Sequence, residues 1–454
     1  MNRQSGWSPG AAQYWNAVRL CLCAPMSVHA RLLDVFACVC VLCLILLSGC
    51  EHRTIIRPTP QMEVESQFWI RVLLLADASE CTVELPSSFH ITQAGIEAEI
   101  EPGSPAKAPL SGPTKVSLVR GQLLLGTVPI ADREVVIHPE TPHIFGLNGQ
   151  NYRGKLKLVV DRDGQTFDVL NLVPLEPYLA GVVGEEMPDY WEPQALRAQA
   201  IAARTYCLYI KNRFGANRSY DVSRTQANQV YSGIGAESSQ IWDAVNSTFG
   251  KVLVEKAPQA GQDSGSSMPA RGLFPTYFSS VCGGHTSDSE DVFGDSFSPL
   301  KGVPCPYCRD VARLGLFFWP MAQFSRKTVT EQLVARYPRI KALGEIREIA
   351  VIEQSDYGPF SRLTRIKLVG ATGRTEVLRA EDLRLSLDSS GRKIKSTICH
   401  IVPWGDGWAF LSGRGWGHGV GMCQCGAEGM ARHGSNAEQI LQHYYPGAKI
   451  VSVY

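Results

Sequence analysis

The chain has 454 residues, a formal net charge of +1 and 44% hydrophobic residues, enough to bury one or two sizeable cores. With no basic stripe interleaved with aromatics, nothing in it points to a nucleic-acid partner. Beyond residue 50 no apolar run is long enough to span a bilayer.

The first 50 residues read as a leader. Val35 to Leu47 is a short apolar run preceded by Arg31 and followed by Leu47-Ser48-Gly49-Cys50. That ending resembles a bacterial lipobox, which makes Cys50 the expected lipidation site. It implies an exported protein, held to a membrane only through a lipid anchor and facing the periplasm or cell wall. A cleaved signal without lipid stays open, and Met26 is an alternative start to Met1. Glu51 to Gln67 is polar and Pro-containing and reads as a tether. Residues 68–454 then form the working region: a β-rich part at 68–173, helices and a Cys/His loop at 174–310, and a β-rich part with a Gly-rich segment at 311–454.

Short apolar runs predict strands at Trp69–Leu75, Cys81–Leu85, Gly121–Val128, Glu134–Pro139 and within Leu156–Val173. Glu101 to Thr114 and the Gly/Ser/Pro-rich stretch Ala257 to Arg271 read as loops. Between them, Pro174 to Phe214 reads as two helices around a Pro-bounded corner. In the first, Leu175, Leu179 and Val182 mark a buried face, and the next position on that stripe is Glu186. Glu185 lies about 100° around the helix and can face water. Pro188 then stops the helix. Burial and the negative end of the helix dipole both disfavour a charged Glu186 and raise its pKa, as a general acid at neutral pH requires. In the second helix Leu196, Ala200, Ala203, Cys207, Ile210 and Phe214 share one face, and Arg197, Arg204 and Lys211 share another. Farther on, a helix near Thr328–Tyr337 and strands at Arg347–Gln354 and Leu363–Gly370 are expected. The fold class is α+β, mostly short β-strands with a few helices framing a cleft.

Six of the 14 cysteines lie at or before Cys50, and eight remain in the working region. Cys282-Gly-Gly-His285 is followed by Cys305-Pro-Tyr-Cys308. Pairs of ligands two residues apart can grip one ion from tight turns. Cys282, His285, Cys305 and Cys308 are therefore read as a closed, structural Zn2+ site. A Cys305–Cys308 disulfide, or a three-ligand site completed by Glu186 or water, remains an alternative. Ser412 to Met430 alternates glycine with Arg414, Trp416, His418 and Val420. This leaves backbone free for close approach, with Trp416 as a platform and His418 as a hydrogen-bonding group for a carbohydrate. Cys423 and Cys425 are too close in sequence to pair with each other. Ala427–His433 and Ala437–Tyr444 close the chain as short helices.

Several segments together resemble the stage II sporulation protein D family, also called the amidase-enhancer or sporulation-type lytic transglycosylase family. They are Pro174-Leu-Glu-Pro-Tyr-Leu-Ala-Gly-Val-Val, Glu186-Met-Pro, Ala195 to Tyr206, Gly283-Gly-His-Thr286, Gly413 to Met422 and Ile440 to Gly447. The resemblance covers roughly residues 68–454. It implies cleavage of peptidoglycan glycan strands, stripped of stem peptides, between N-acetylmuramic acid and N-acetylglucosamine, leaving 1,6-anhydro ends. It also implies that Glu186, directly before Met187-Pro188, is the essential acid, and some members carry zinc nearby. Where the family often has His after Tyr-Phe, this chain has Ser279, so the metal ligands are taken from its own spacing. One carboxyl suffices for a lytic reaction, because the sugar's 6-hydroxyl is the nucleophile, whereas hydrolytic glycosidases mostly use two. Arg414, His418 and Gln424, with Arg204 and Tyr206, are the candidates for placing the sugar. Two other readings stay open: a non-catalytic glycan-binding activator of a cell-wall amidase, and a zinc hydrolase using Cys282, His285 and a bound water.

Overall fold

The structure, a computed structural model, describes residues 68–93, 105–130, 132–255 and 272–454. The leader with Cys50, the tether and the 257–271 loop lie outside the described residues. No described helix is long and apolar enough to cross a membrane.

Alternating apolar residues build the first sheet. In Trp69–Ala78, Ile70, Val72 and Leu74 are buried at period two. This strand pairs with Phe167–Pro174 in antiparallel register, Trp69 opposite Pro174. The predicted run Leu156–Val173 is a hairpin of Lys155–Val160 and Phe167–Pro174. Glu134–Pro139 and Phe89–Gln93 extend that edge, and Val222–Ser223 adds in parallel at the other, making six strands. A second six-stranded antiparallel sheet runs through Glu80–Glu84, Thr114–Val119 and Ile144–Leu147. The buried faces of both sheets share one hydrophobic core.

Strand Phe167–Pro174 runs straight into helix α1, Leu175–Glu186, with Pro174 as its N-cap. Pro193 opens α2, Pro193–Phe214, as expected of a proline in a first turn. Helix α1 is buried on more than one stripe, from Leu175 to Val183. It can sink that deep because Gly184 lets the Gly233–Ala236 turn approach: a Cβ there would lie 1.9 Å from the Ala236 carbonyl oxygen. Helix α3, Ser239–Ser247, packs beside both.

Downstream, the chain leaves this core and builds another. Trp319 to Phe410 supply a separate hydrophobic cluster. It holds α4, Arg326–Arg336, and α5, Ala380–Leu387. Two three-stranded antiparallel sheets accompany them, one of Ile346–Asp356, Ser361–Gly370 and Thr375–Arg379, the other of Ala322–Ser325, Gly407–Leu411 and His400–Trp404. The chain then returns: Val420, Met422 and Cys423, followed by α6, Gln424–Arg432, and α7, Ala437–Tyr444, pack on the first core. The part expected as one β-rich stretch after residue 311 is thus divided between two cores. The α+β class holds.

Candidate active-site cleft and cysteine centre

A cavity of about 710 Å³ opens between elements of both cores. One wall carries Glu185 and Glu186 from the end of α1, Tyr206 from α2 and Gln424 from the start of α6. Glu381 and Arg384 from α5, with Trp416 and His418 from the Gly-rich segment, line the cavity as well.

Glu186 is half-buried and Glu185 exposed, the division their positions on the helix require. The Val230 backbone N–H donates to Glu186 Oε1 at 3.2 Å. Gln424 Nε2 donates to Oε2 at 3.0 Å. Burial raises the Glu186 pKa, partly offset by these two bonds, and the charge of Glu185 adds to the rise. Glu381, by contrast, is locked to Arg384 by contacts of 2.5 and 2.9 Å. Burial pushes its pKa up, but the Arg384 charge and hydrogen bonds outweigh that and hold it below the usual carboxylate range. Of the three cleft carboxylates, Glu186 alone is both sheltered and without a cation partner.

The other candidates separate. Tyr206 lines the cleft, 7% exposed. Gln424 reaches it by holding Glu186. Arg204 does not: it is fully buried, with Nε and Nη2 donating to Glu176 at 2.8 and 2.6 Å. It clamps α1 to α2. The rest of its helix face is paired as well, Arg197 with Asp243 of α3 at 2.9 Å and Lys211 with Asp221 at 3.1 Å. His418 borders the cleft, but its Nδ1 accepts from the Val420 N–H at 3.0 Å and its ring is also bonded by the backbone of Phe278. Burial lowers its pKa to about 4, so it is neutral at neutral pH. Its nitrogens hold backbone, not sugar. Arg414 lies in a second cavity of about 320 Å³, stacked on Phe360 at 4.1 Å and Phe317 at 4.9 Å. Trp416 is in the cleft, with the Lys395 ammonium 4.9 Å from its ring centroid.

The expected metal set is three-quarters assembled, with one exchange. Cys282, Cys305, Cys308 and Cys423 bring their sulfurs within 4.8 Å of one another, all buried. Cys282 and Cys308 are 3.8 Å apart, close to the ~3.8 Å edge of a sulfur tetrahedron built on ~2.3 Å Zn–S bonds. None of the eight described cysteines is in a disulfide, Cys305 and Cys308 included. The donor chemistry and the spacing both fit a zinc ion. His285 is not in the set. Gly283 and Gly284, at φ +85° and +117°, swing the chain away after Cys282. The His285 ring then stacks on Tyr357 at 4.1 Å, and its Nδ1 meets the Thr286 carbonyl at 2.6 Å. Cys423 arrives because Phe278–Ser279 pairs in parallel with Met422–Cys423. The Cys282 N–H points to its sulfur at 3.2 Å. The Tyr444 hydroxyl sits 3.1 Å from Cys305 Sγ. No spacing rule links a thiol to partners more than a hundred residues away, so Cys423 was not legible as a ligand. Glu381 and Arg384 carried no signal either, since only folding of the second core brings them to the cleft.

Residues 163–254, which hold Glu186 and Arg204, match the family model described as stage II sporulation protein. An uncharacterized protein of Brachyspira hyodysenteriae is 33% identical over 315 residues, 69% of this chain and 75% of that protein. Stage II sporulation protein D of Bacillus subtilis is 28% identical over 295 residues, 61% of this chain and 74% of that protein. The amidase enhancer of Bacillus subtilis is 26% identical over 378 residues, 75% of this chain and 50% of that protein. The length of these matches, together with Glu186 standing before Met187-Pro188 in a cleft, makes this chain a member of the stage II sporulation protein D family.

Proposed function

We propose that the chain is a cell-wall enzyme, a lytic transglycosylase acting on peptidoglycan glycan strands, exported and held at the membrane through Cys50. The observation that carries this reading is Glu186: the one sheltered cleft carboxyl without a cation partner, its pKa raised by burial and its orientation fixed by Val230 and Gln424. In its protonated form Glu186 donates to the glycosidic oxygen as the bond to C1 breaks. The resulting carboxylate takes the proton of the 6-hydroxyl as that oxygen bonds to C1. Glu186 ends as it began, and no water is consumed. Tyr206 and Trp416 offer apolar faces and a hydroxyl for the sugar rings. Glu381 and Arg384 line the same cleft.

For the cysteine cluster we propose a zinc ion held by Cys282, Cys305, Cys308 and Cys423. Four thiolates fill a tetrahedron and leave no position for an activated water, so the ion's role is to brace the loop that borders the cleft.

The test is Glu186→Gln assayed on glycan stripped of stem peptides, with mass spectrometry of the products. Wild type releases 1,6-anhydro ends, and the variant loses about 10²–10⁴-fold in rate. A variant that still releases them at the wild-type rate removes Glu186 from the reaction. A second reading, a non-catalytic glycan-binding activator of an amidase, is favoured by the relative named amidase enhancer. It gains if wild type binds the glycan, releases nothing from it, and accelerates an added cell-wall amidase.

A further inference from the structure

Arg362, on strand Ser361–Gly370, is fully buried, and no carboxylate among the described residues hydrogen-bonds it. Its Nη2 donates to the Cys282 carbonyl at 3.0 Å, and its Nη1 to the His418 carbonyl at 3.3 Å and Thr397 Oγ1 at 3.4 Å. Its Nε has no partner. A guanidinium stays protonated, so this is a buried positive charge in need of a counter-ion. The titratable groups facing it are Tyr357, Cys282, Glu381, Arg384, Cys399 and His418. Glu381 is spent on Arg384, which it binds through both oxygens. Burial pushes the Cys399 thiol up to about 12 and keeps His418 neutral, so neither supplies an anion, and the candidate beside Arg362 is the cysteine cluster, reached through Cys282. The same cluster faces a second arginine with no carboxylate partner among the described residues: Arg414, whose charge is felt by Cys308 and Cys282 and whose Nε donates to the Gly283 carbonyl.

Resting on the zinc reading of the cluster, we infer that Arg362 and Arg414 are the counter-charges of an all-thiolate divalent centre, and that Arg362 ties this centre to the cleft. The arithmetic closes. A divalent ion with four thiolates carries a net charge of about −2, and two guanidiniums carry +2. Four neutral thiols, or two disulfides, would leave Arg362 buried with only Glu381, already bound to Arg384, to offset it. The packing is built for this charge: a Cβ on Gly419 would stand 2.5 Å from Arg362 Nη2, so the guanidinium can lie against that backbone only where there is no side chain. One side of Arg362 thus grips the carbonyl of a ligand residue, and the other grips the carbonyl of His418 in the Gly-rich segment that lines the cleft. Groups outside the ligand sphere that orient or balance it contribute about 10–100-fold to metal affinity. Arg362 is a positioning residue in this scheme, acting on the cleft through the Cys282 and His418 backbones.

The test uses the full chain produced with zinc. Elemental analysis of wild type is expected to give one zinc per chain. Substitution with Co2+ is expected to give the intense thiolate-to-metal absorption of a tetrahedral four-sulfur site. Arg362→Met is expected to speed zinc loss to a chelator about 10–100-fold, with Arg362→Lys closer to wild type. Arg414 is less buried, so Arg414→Met covers the case in which Arg362→Met does not fold, and it is expected to loosen the ion in the same direction. If wild type holds zinc and neither methionine variant releases it faster, the counter-charge assignment is overturned while the zinc reading stands. If wild type holds no metal and its thiols are free or oxidised, the zinc reading falls and takes this inference with it.

Discussion

Replacing Gln424 by Met gives the most direct check on how the cleft tunes its acid. The side chain is 4% exposed and of similar length, so Met fills the space, but it cannot donate the 3.0 Å bond to Glu186 Oε2. That bond favours the carboxylate over the acid and pulls against the rise caused by burial. A hydrogen bond to a charged group contributes about 1.5–3 kcal/mol. The protonated acid can still accept from the same amide, so only the part of that energy specific to the carboxylate counts, and losing it weakens Glu186 as an acid. The sign follows from the mechanism. The first step needs Glu186 protonated, so a weaker acid stays competent to higher pH. The alkaline limb of the kcat/KM profile for release of 1,6-anhydro ends must therefore move to higher pH in Gln424→Met, while the Val230 N–H continues to hold Oε1. The assay is initial rate against pH for both proteins on denuded glycan, with thermal melts to show that the fold is kept. An alkaline limb that stays in place, or moves to lower pH, refutes the assignment of that limb to Glu186.

Arg204→Met leaves the buried Glu176 without its guanidinium, held by the Tyr454 hydroxyl, and should destabilise the fold by about 3 kcal/mol in urea titrations while leaving KM on the folded fraction unchanged. Cys423→Ser should lower bound zinc measured by elemental analysis, whereas His285→Ala should leave it at the wild-type level, because His285 is stacked on Tyr357 outside the cluster. His418 has its pKa lowered from 6.5 to about 4 by burial, so the unfolded chain binds the extra proton between those values. Stability from this group is therefore full above about pH 6.5 and is lost as pH falls towards 4, a contribution on the order of 3 kcal/mol. His418→Gln should flatten that part of the stability–pH curve, and an unchanged slope would mean the ring is not buried neutral.

What the sequence disclosed best was local. The α1 stripe separated Glu186 from Glu185 without any knowledge of neighbours, because a helix turns every residue by a fixed angle. The strands of the first core were visible as short apolar runs, as in Trp69–Leu75, which lies within the strand Trp69–Ala78. The losses were all long-range. Arg204 sits on a helix face that looked ready to meet substrate or water, and it became a core clamp because Glu176, in the first turn of α1, is buried beside it. His285 has a metal ligand's spacing, but two left-handed glycines turn it away. Cys423 and Arg362 belong to segments whose neighbours are chosen by sheet pairing, which no local pattern encodes.

The Gly-rich segment shows how a correct local observation can carry a different cause. Its alternating glycines were expected to bare backbone for a ligand. Instead they admit protein. A Cβ on Gly413 would fall 1.9 Å from the Trp319 ring, which belongs to the second core. A Cβ on Gly421 would fall 2.0 Å from the Tyr277 carbonyl oxygen, which lies on the cleft wall. The segment is thus clamped where the second core hands the chain back to the first, and the residues between the glycines have their directions fixed by that clamp. Arg414 goes to the Phe360 and Phe317 rings and the Gly283 carbonyl, Trp416 to the cleft, and His418 to the backbone of Phe278 and Val420. Gly413→Ala should therefore cost stability, about 1–3 kcal/mol for overpacking, rather than glycan affinity alone. If urea titration finds the variant as stable as wild type and only KM changes, the glycines serve the ligand after all, and the seam is looser than the Trp319 contact requires.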